Sequence, residues 1–153
     1  MNKDLQIAKK TIQTEIQALK KLSSSFNHFS HFSKAVNLLS KMKGKCLVVG
    51  VGKSYLVSLK VSATLSSLGT PSVAFSANDL QHGGLGAIQK NNDVLLVFSV
   101  SGESSELNSI LRYANRHNIS VIGVSCKTTS MLLRHSTIKI LLPKVAEAGH
   151  SLA

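Results

Sequence analysis

Cys46 to Ser54 reads CLVVGVGKS, and this stretch restricts the possible folds more than any other. Leu47, Val48 and Val49 form a continuous apolar run, as in a strand buried on both faces. Gly50 and Gly52 follow with one residue between them, then Lys53 and Ser54. From Tyr55 to Leu68 the pattern is helical, and Gly69 stops it. A strand passing through a glycine-rich turn into a helix N-terminus suits an anion. The glycines permit close backbone approach, while amides and the helix dipole favour negative charge. Phosphate is the expected ligand class. Spacing excludes two commoner glycine motifs: a P-loop needs glycine where Leu47 stands, and the dinucleotide fingerprint needs one where Tyr55 stands. A plain strand-to-helix turn, its glycines serving geometry alone, is the competing reading.

Ahead of this stretch, Leu5, Ala8, Ile12, Ile16 and Leu19 recur at helical steps, predicting an amphipathic helix over 4–22 that Ser23–Ser25 breaks. A second helix is expected near 31–42, burying Phe32, Val36, Leu39 and Met42. Both need a covering surface, either the sheet or a second subunit. Beyond it, strands are predicted at 72–75, 93–99, 120–125 and 137–142, with helical segments between. Continuous apolar strands alternating with helices predict an α/β fold, a parallel sheet covered on both faces. The division expected is 1–43 as an N-terminal helical segment and 44–153 as the sheet domain. In such sheets ligands bind beyond the carboxyl ends of the strands. Gly50–Ser54, Ser99–Ser105 and the segment after Pro143 fall there.

Composition narrows the partners. The 153 residues are 43% hydrophobic and 16% charged, which suits a globular domain. No run approaches a membrane span and the start lacks a signal-peptide core, so a cytoplasmic protein is expected. Cys46 and Cys126 read as buried thiols. The net charge of +11 is concentrated in residues 1–60, where 11 lysines face only Asp4 and Glu15. These lysines are dispersed and lack aromatic neighbours, which argues against nucleic acid and for a basic surface that attracts phosphorylated substrates.

The second loop, Ser99-Val100-Ser101-Gly102-Glu103-Ser104-Ser105-Glu106, is rich in hydroxyls and opens a helix. Its serines and amides can converge on one phosphate. Helix capping by Ser104 or Ser105 is the competing reading. Two such loops at neighbouring strand ends favour a phosphorylated ligand.

Taken together, GKS at 52–54, Gly69-Thr70-Pro71, HGGLG at 82–86 and the SGESSE loop resemble the sugar isomerase (SIS) domain. They are more closely similar to D-arabinose 5-phosphate isomerases of the KpsF/GutQ type. The resemblance runs from about Gly44 to Ala153 and implies a flavodoxin-like sheet. It implies interconversion of D-ribulose 5-phosphate and D-arabinose 5-phosphate, the latter feeding synthesis of the lipopolysaccharide sugar Kdo. By motif, Lys53, Glu106 and Glu147 match the family's catalytic positions. Ser54, Gly69, Thr70, His82, Ser99, Ser101 and Ser104 are expected on the substrate. Glu106 or Glu147 is the candidate base and Lys53 its electrostatic partner. The chemistry requires no metal and no redox cofactor. A homodimer or homotetramer is implied. The chain departs from the family at Tyr55, at Gly84 in place of an aspartate and at Val100 in place of an asparagine. It also ends inside a segment typical of the family, short of a further helix, a histidine and paired CBS domains. These departures keep open a non-catalytic module that binds a sugar phosphate as a sensor or regulatory subunit.

Overall fold

The computed structural model describes residues 2–25 and 30–148. The rest of the family-like tail lies outside the described residues. The elements are α1 (Lys3–Ser25), α2 (Ser30–Lys41), β1 (Cys46–Gly50), α3 (Lys53–Ser67), β2 (Ser72–Ser76), α4 (Ala77–Gln81), a 3-10 turn (Gly84–Ala87), β3 (Val94–Phe98), α5 (Leu107–Arg116), β4 (Ser120–Ser125), α6 (Met131–Arg134) and β5 (Ile138–Leu141). The chain divides into two compact units: residues 1–29 with 142–153, and residues 30–141 with α2 and the whole sheet.

The sheet has five parallel strands in the order β2-β1-β3-β4-β5. This is the doubly wound arrangement expected. The first crossover runs outward from β1 to β2 and the later ones run the other way. Right-handed connections therefore place α3 and α5 on opposite faces. The chain reverses direction between β1 and β3. One face packs Leu47, Val49, Leu95, Val97 and Val121 against Leu107, Ile110, Leu111 and Ala114 of α5, with Leu80 of α4 and Leu132 of α6. The α5 residues follow the 3-4-7 helical spacing, so that helix is built to cover a sheet.

On the other face α3 packs against β1 and β2. Its buried residues are Ser58 and Ser62, whereas Leu56, Val57 and Leu59 are exposed. Small side chains let the helix lie close to the strands, and the Ser58 hydroxyl is satisfied by the Ser54 carbonyl at 2.9 Å. At its far end Gly69 N–H donates to Ser66 O (3.1 Å) and Thr70 N–H to Leu65 O (2.9 Å), with Gly69 at φ 86°. That is a Schellman stop, for which glycine is the favoured residue.

The N-terminal helices correct several expectations. α1 runs through Ser23–Ser25 because Ser24 and Ser25 return hydroxyl bonds to the carbonyls of Lys21 and Leu22, keeping the turn helical. None of its residues is buried, and Leu5, Ile12, Ile16 and Leu19 are exposed. α2 lies against β5 and buries Ala35, while Phe32 and Val36 point outward. Cys46 is fully buried, and burial pushes its thiol up to about 12, but Cys126 is only half-buried, just past β4. Among the described residues no helix is long and apolar enough to cross a membrane.

At the amino ends of the central strands the Asp93 carboxylate, with no exposed side-chain surface, accepts from Lys45 N (2.8 Å), Gln89 N (2.8 Å) and Lys45 Nζ (2.9 Å). It thereby pins the entry to β1 against the entry to β3. Burial alone would raise its pKa, but the two amides and the Lys45 ammonium outweigh burial and hold it below the usual carboxylate range. A depressed folded-state pKa adds stability that is complete above the unfolded value, about 3.9, and is lost as pH falls through the folded one. Urea unfolding of Asp93→Ala should therefore show a loss of about 1–3 kcal/mol for each amide left unpaired. The variant should also lose less stability than the parent when both are acidified below about pH 4.

Candidate functional site

β1 ends at Gly50, which pairs in register with Phe98, the end of β3, on one side and with Ser76, the end of β2, on the other. The two polar loops thus leave adjacent strands at the same level, where the chain reverses direction. In open α/β sheets this crevice is the preferred ligand site.

The first loop is a tight backbone turn. Ser54 N–H donates to Val51 O and Tyr55 N–H to Gly52 O, each at 3.0 Å. Gly52 takes φ 54° and no side chain caps α3. A Cβ on Gly50 would lie 2.5 Å from the Ser54 carbonyl carbon and oxygen, so only glycine lets the turn close over the strand end. Lys53 begins α3 and is exposed, while Ser54 is half-buried.

The second loop is built from side chain to backbone. Ser99 is buried, and its hydroxyl accepts from Gly102 N–H at 3.0 Å and lies 3.4 Å from the Ser104 hydroxyl. The exposed Ser101 hydroxyl accepts from Glu103 N–H at 3.3 Å. The loop is also tied to the connection after β4. Val100 O accepts from Cys126 N–H (3.0 Å) and the Ser125 hydroxyl (3.1 Å), and Gly102 O accepts from Leu132 N–H (3.0 Å). Gly102 sits at φ 65°, where a Cβ would come within 2.5 Å of the Ser130 side chain. Val100 turns outward, 71% exposed.

Glu106 is the N-cap of α5. Its carboxylate accepts from the Ser105 hydroxyl at 3.2 Å, and its carbonyl accepts from the Gln81 side-chain amide. No side chain caps α5, so the serines of this loop are not taken up by helix capping. The Gln81 contact draws the end of α4, where exposed His82 is the C-cap, up to the second loop. Lys53, Ser54, Ser99, Ser101, Ser104 and Glu106 therefore gather around the ends of β1 and β3, with His82 at their border.

Gly69 and Thr70 do not join them. They precede β2 and so lie at the amino-terminal edge of the sheet, opposite the two loops, which corrects their expected place on the substrate. Their work is the Schellman stop. Glu147 is exposed and belongs to the other compact unit. A cavity of about 500 Å³ also opens at the amino-terminal edge, lined by Lys41, Lys43, Asn91, Asn118 and Ser120 among others. It lies at the far end from the loops.

Sequence reasoning passed over Gln81, Ser125, Lys127 and Ser130. The strand-end rule that selected the other loops also covers the connection after β4, and would have flagged 125–130. Gln81 had no comparable signal.

Residues 38–153 match the family model of the SIS domain. The arabinose 5-phosphate isomerase KdsD of Francisella tularensis is 32% identical over 151 residues, covering 97% of this chain and 45% of that protein. KdsD of Pseudomonas aeruginosa is 35% identical over 133 residues, covering 87% and 40%. The chain thus spans less than half the length of these curated relatives. Among solved structures, the sugar-phosphate complex of E. coli CFT073 c3406 superposes with TM-score 0.91 at 29% identity, covering 100% of this chain and 81% of that one. The Vibrio vulnificus NanR protein complexed with ManNAc-6P shares the fold, with TM-score 0.77 at 18% identity, covering 93% and 53%.

The glycines rank the loops' tolerance. Gly50→Ala drives a Cβ into backbone and Gly102→Ala into Ser130, whereas Gly52 has open space around it. Thermal unfolding should show Gly50→Ala and Gly102→Ala losing more stability than Gly52→Ala. The last carries only the cost of a left-handed backbone, about 1–2 kcal/mol.

Proposed function

We propose, starting from the fact that the chain belongs to the SIS domain family, that it binds a phosphorylated sugar across the two loops and interconverts its aldose and ketose forms. D-arabinose 5-phosphate and D-ribulose 5-phosphate are the proposed pair, which would put the protein in the supply of Kdo for lipopolysaccharide. The observation that carries this reading is the in-register pairing of Gly50 with Phe98, which sets a glycine turn and a serine loop side by side. The names of the relatives supply the sugar.

In this reading the phosphate rests on the hydroxyls of Ser54, Ser99, Ser101 and Ser104, which fixes the distance from phosphate to C1 and C2. A carboxylate, Glu106 or Glu147, removes the proton from C2 of the aldose. The C–H electron pair forms the C1–C2 double bond of an enediol and negative charge develops on O1. Lys53 stabilises that charge. Return of the proton to C1, with transfer of the hydroxyl proton from O2 to O1, yields the ketose. His82 contacts the sugar from the border of the site. Self-association and a cytoplasmic setting belong to the same reading. The exposed Leu56, Val57 and Leu59 of α3 supply an apolar face for a second copy.

Val100 favours a second reading. It stands 71% exposed in the serine loop, where the resembling enzymes carry an amide side chain. A site short of one polar contact suits a non-catalytic sensor or regulatory module.

Turnover of D-arabinose 5-phosphate by the purified chain, followed as ketose formed, tests the proposal. Lys53→Ala should lower kcat roughly 10²- to 10³-fold. Saturable binding without turnover would establish the second reading. Folded protein that neither binds nor turns over the sugar phosphate would refute both.

A further inference from the structure

The serine loop carries an acid that the proposed chemistry does not use. Glu103 lies between Ser101 and Ser104, and a bare carboxylate there would repel a phosphate dianion. It is not bare: Glu103 Oε1 is 2.8 Å from Lys127 Nζ, and Oε2 accepts from Met131 N–H at 3.4 Å. The carboxylate is thus turned toward the connection after β4, and the Lys127 ammonium, by hydrogen bonding to it, lowers its pKa.

The peptide groups beside it are held at the same time. Gly102 N–H donates to the Ser99 hydroxyl, Glu103 N–H to the Ser101 hydroxyl, and Gly102 O accepts from Leu132 N–H. A serine oxygen that accepts from an amide keeps its own hydrogen for another partner. With both oxygens engaged as acceptors, the hydrogens of Ser99 and Ser101 are left to donate, which is what a phosphate needs. The backbone orientation that achieves this is braced at Glu103.

We propose that Lys127 and Glu103 form a positioning pair that braces the serine loop and cancels the carboxylate charge beside the bound phosphate. The inference rests on the sugar-phosphate reading above and adds to it a determinant of anion affinity that touches no substrate. The pair is solvent-accessible, with side-chain exposures of 51% for Lys127 and 39% for Glu103. Exposed pairs add little to stability. The effect therefore falls on ligand affinity.

Calorimetric titration with D-arabinose 5-phosphate at low salt tests this, alongside thermal unfolding of each variant. Lys127→Ala leaves Glu103 charged and uncompensated. It should weaken binding about tenfold, raise KM with kcat little changed, and leave the unfolding temperature close to the parent's. Added salt should narrow the gap, because screening weakens the repulsion. The double variant Lys127→Ala with Glu103→Gln removes both charges and should recover most of the lost affinity, as should Lys127→Arg. Parent-like affinity in Lys127→Ala overturns the proposal. So does a weakened Lys127→Ala that neither the double variant nor Lys127→Arg rescues, which would mark Lys127 as a packing residue. Failure of the parent protein to bind would instead overturn the sugar-phosphate reading, and this inference with it.

Discussion

Everything proposed for this chain depends on the parallel pairing of β1 with β3. The two strands are distant in sequence and are followed by helices on opposite faces of the sheet. Their register puts Gly50 beside Phe98, so both loops start from one level. A slip of one residue would turn Leu47, Val49, Leu95 and Val97 away from the α5 face and also separate the loops. The apolar pattern that builds the core therefore also aligns the site. Asp93 reinforces that register at the other end of the same two strands by binding both Lys45 and the Gln89 amide.

The two loops reach rigidity by different routes. The first is closed by backbone alone, and Gly50 matters because the returning chain at Ser54 leaves no room for a side chain. The second is braced by hydroxyls and by the neighbouring connection, and Gly102 matters because Ser130 fills the space a Cβ would take. Such preorganisation lowers the cost of ordering a loop when an anion arrives. It also concentrates function in the second loop, whose serine oxygens are already oriented before binding.

Much of this is legible in the sequence, and what is not has physical causes. The five strands announce themselves as apolar runs, since a parallel strand buried on both faces cannot alternate. The two phosphate-type loops follow from glycine and serine at strand ends. The helices covering the sheet are less legible. α3 turns Ser58 and Ser62 inward because close packing, not hydrophobicity, sets that face, and α2 buries Ala35 while Phe32 and Val36 face outward. Gly69 reads correctly as a helix stop. Its placement with Thr70 on the substrate comes from motif matching, and chain direction puts that turn at the wrong end of β2. Lys127 stays hidden because its partner Glu103 is 24 residues away and no local pattern links them.

The central claim is that the ends of β1 and β3 form one phosphate cradle, and amide chemical shifts of the labelled protein during titration with D-arabinose 5-phosphate test it most directly. The account predicts saturable shifts concentrated in residues 50–54 and 99–106, moving together with one dissociation constant. Shifts confined to one loop, or centred on the cavity around Lys41 and Asn118 at the opposite edge, would contradict it.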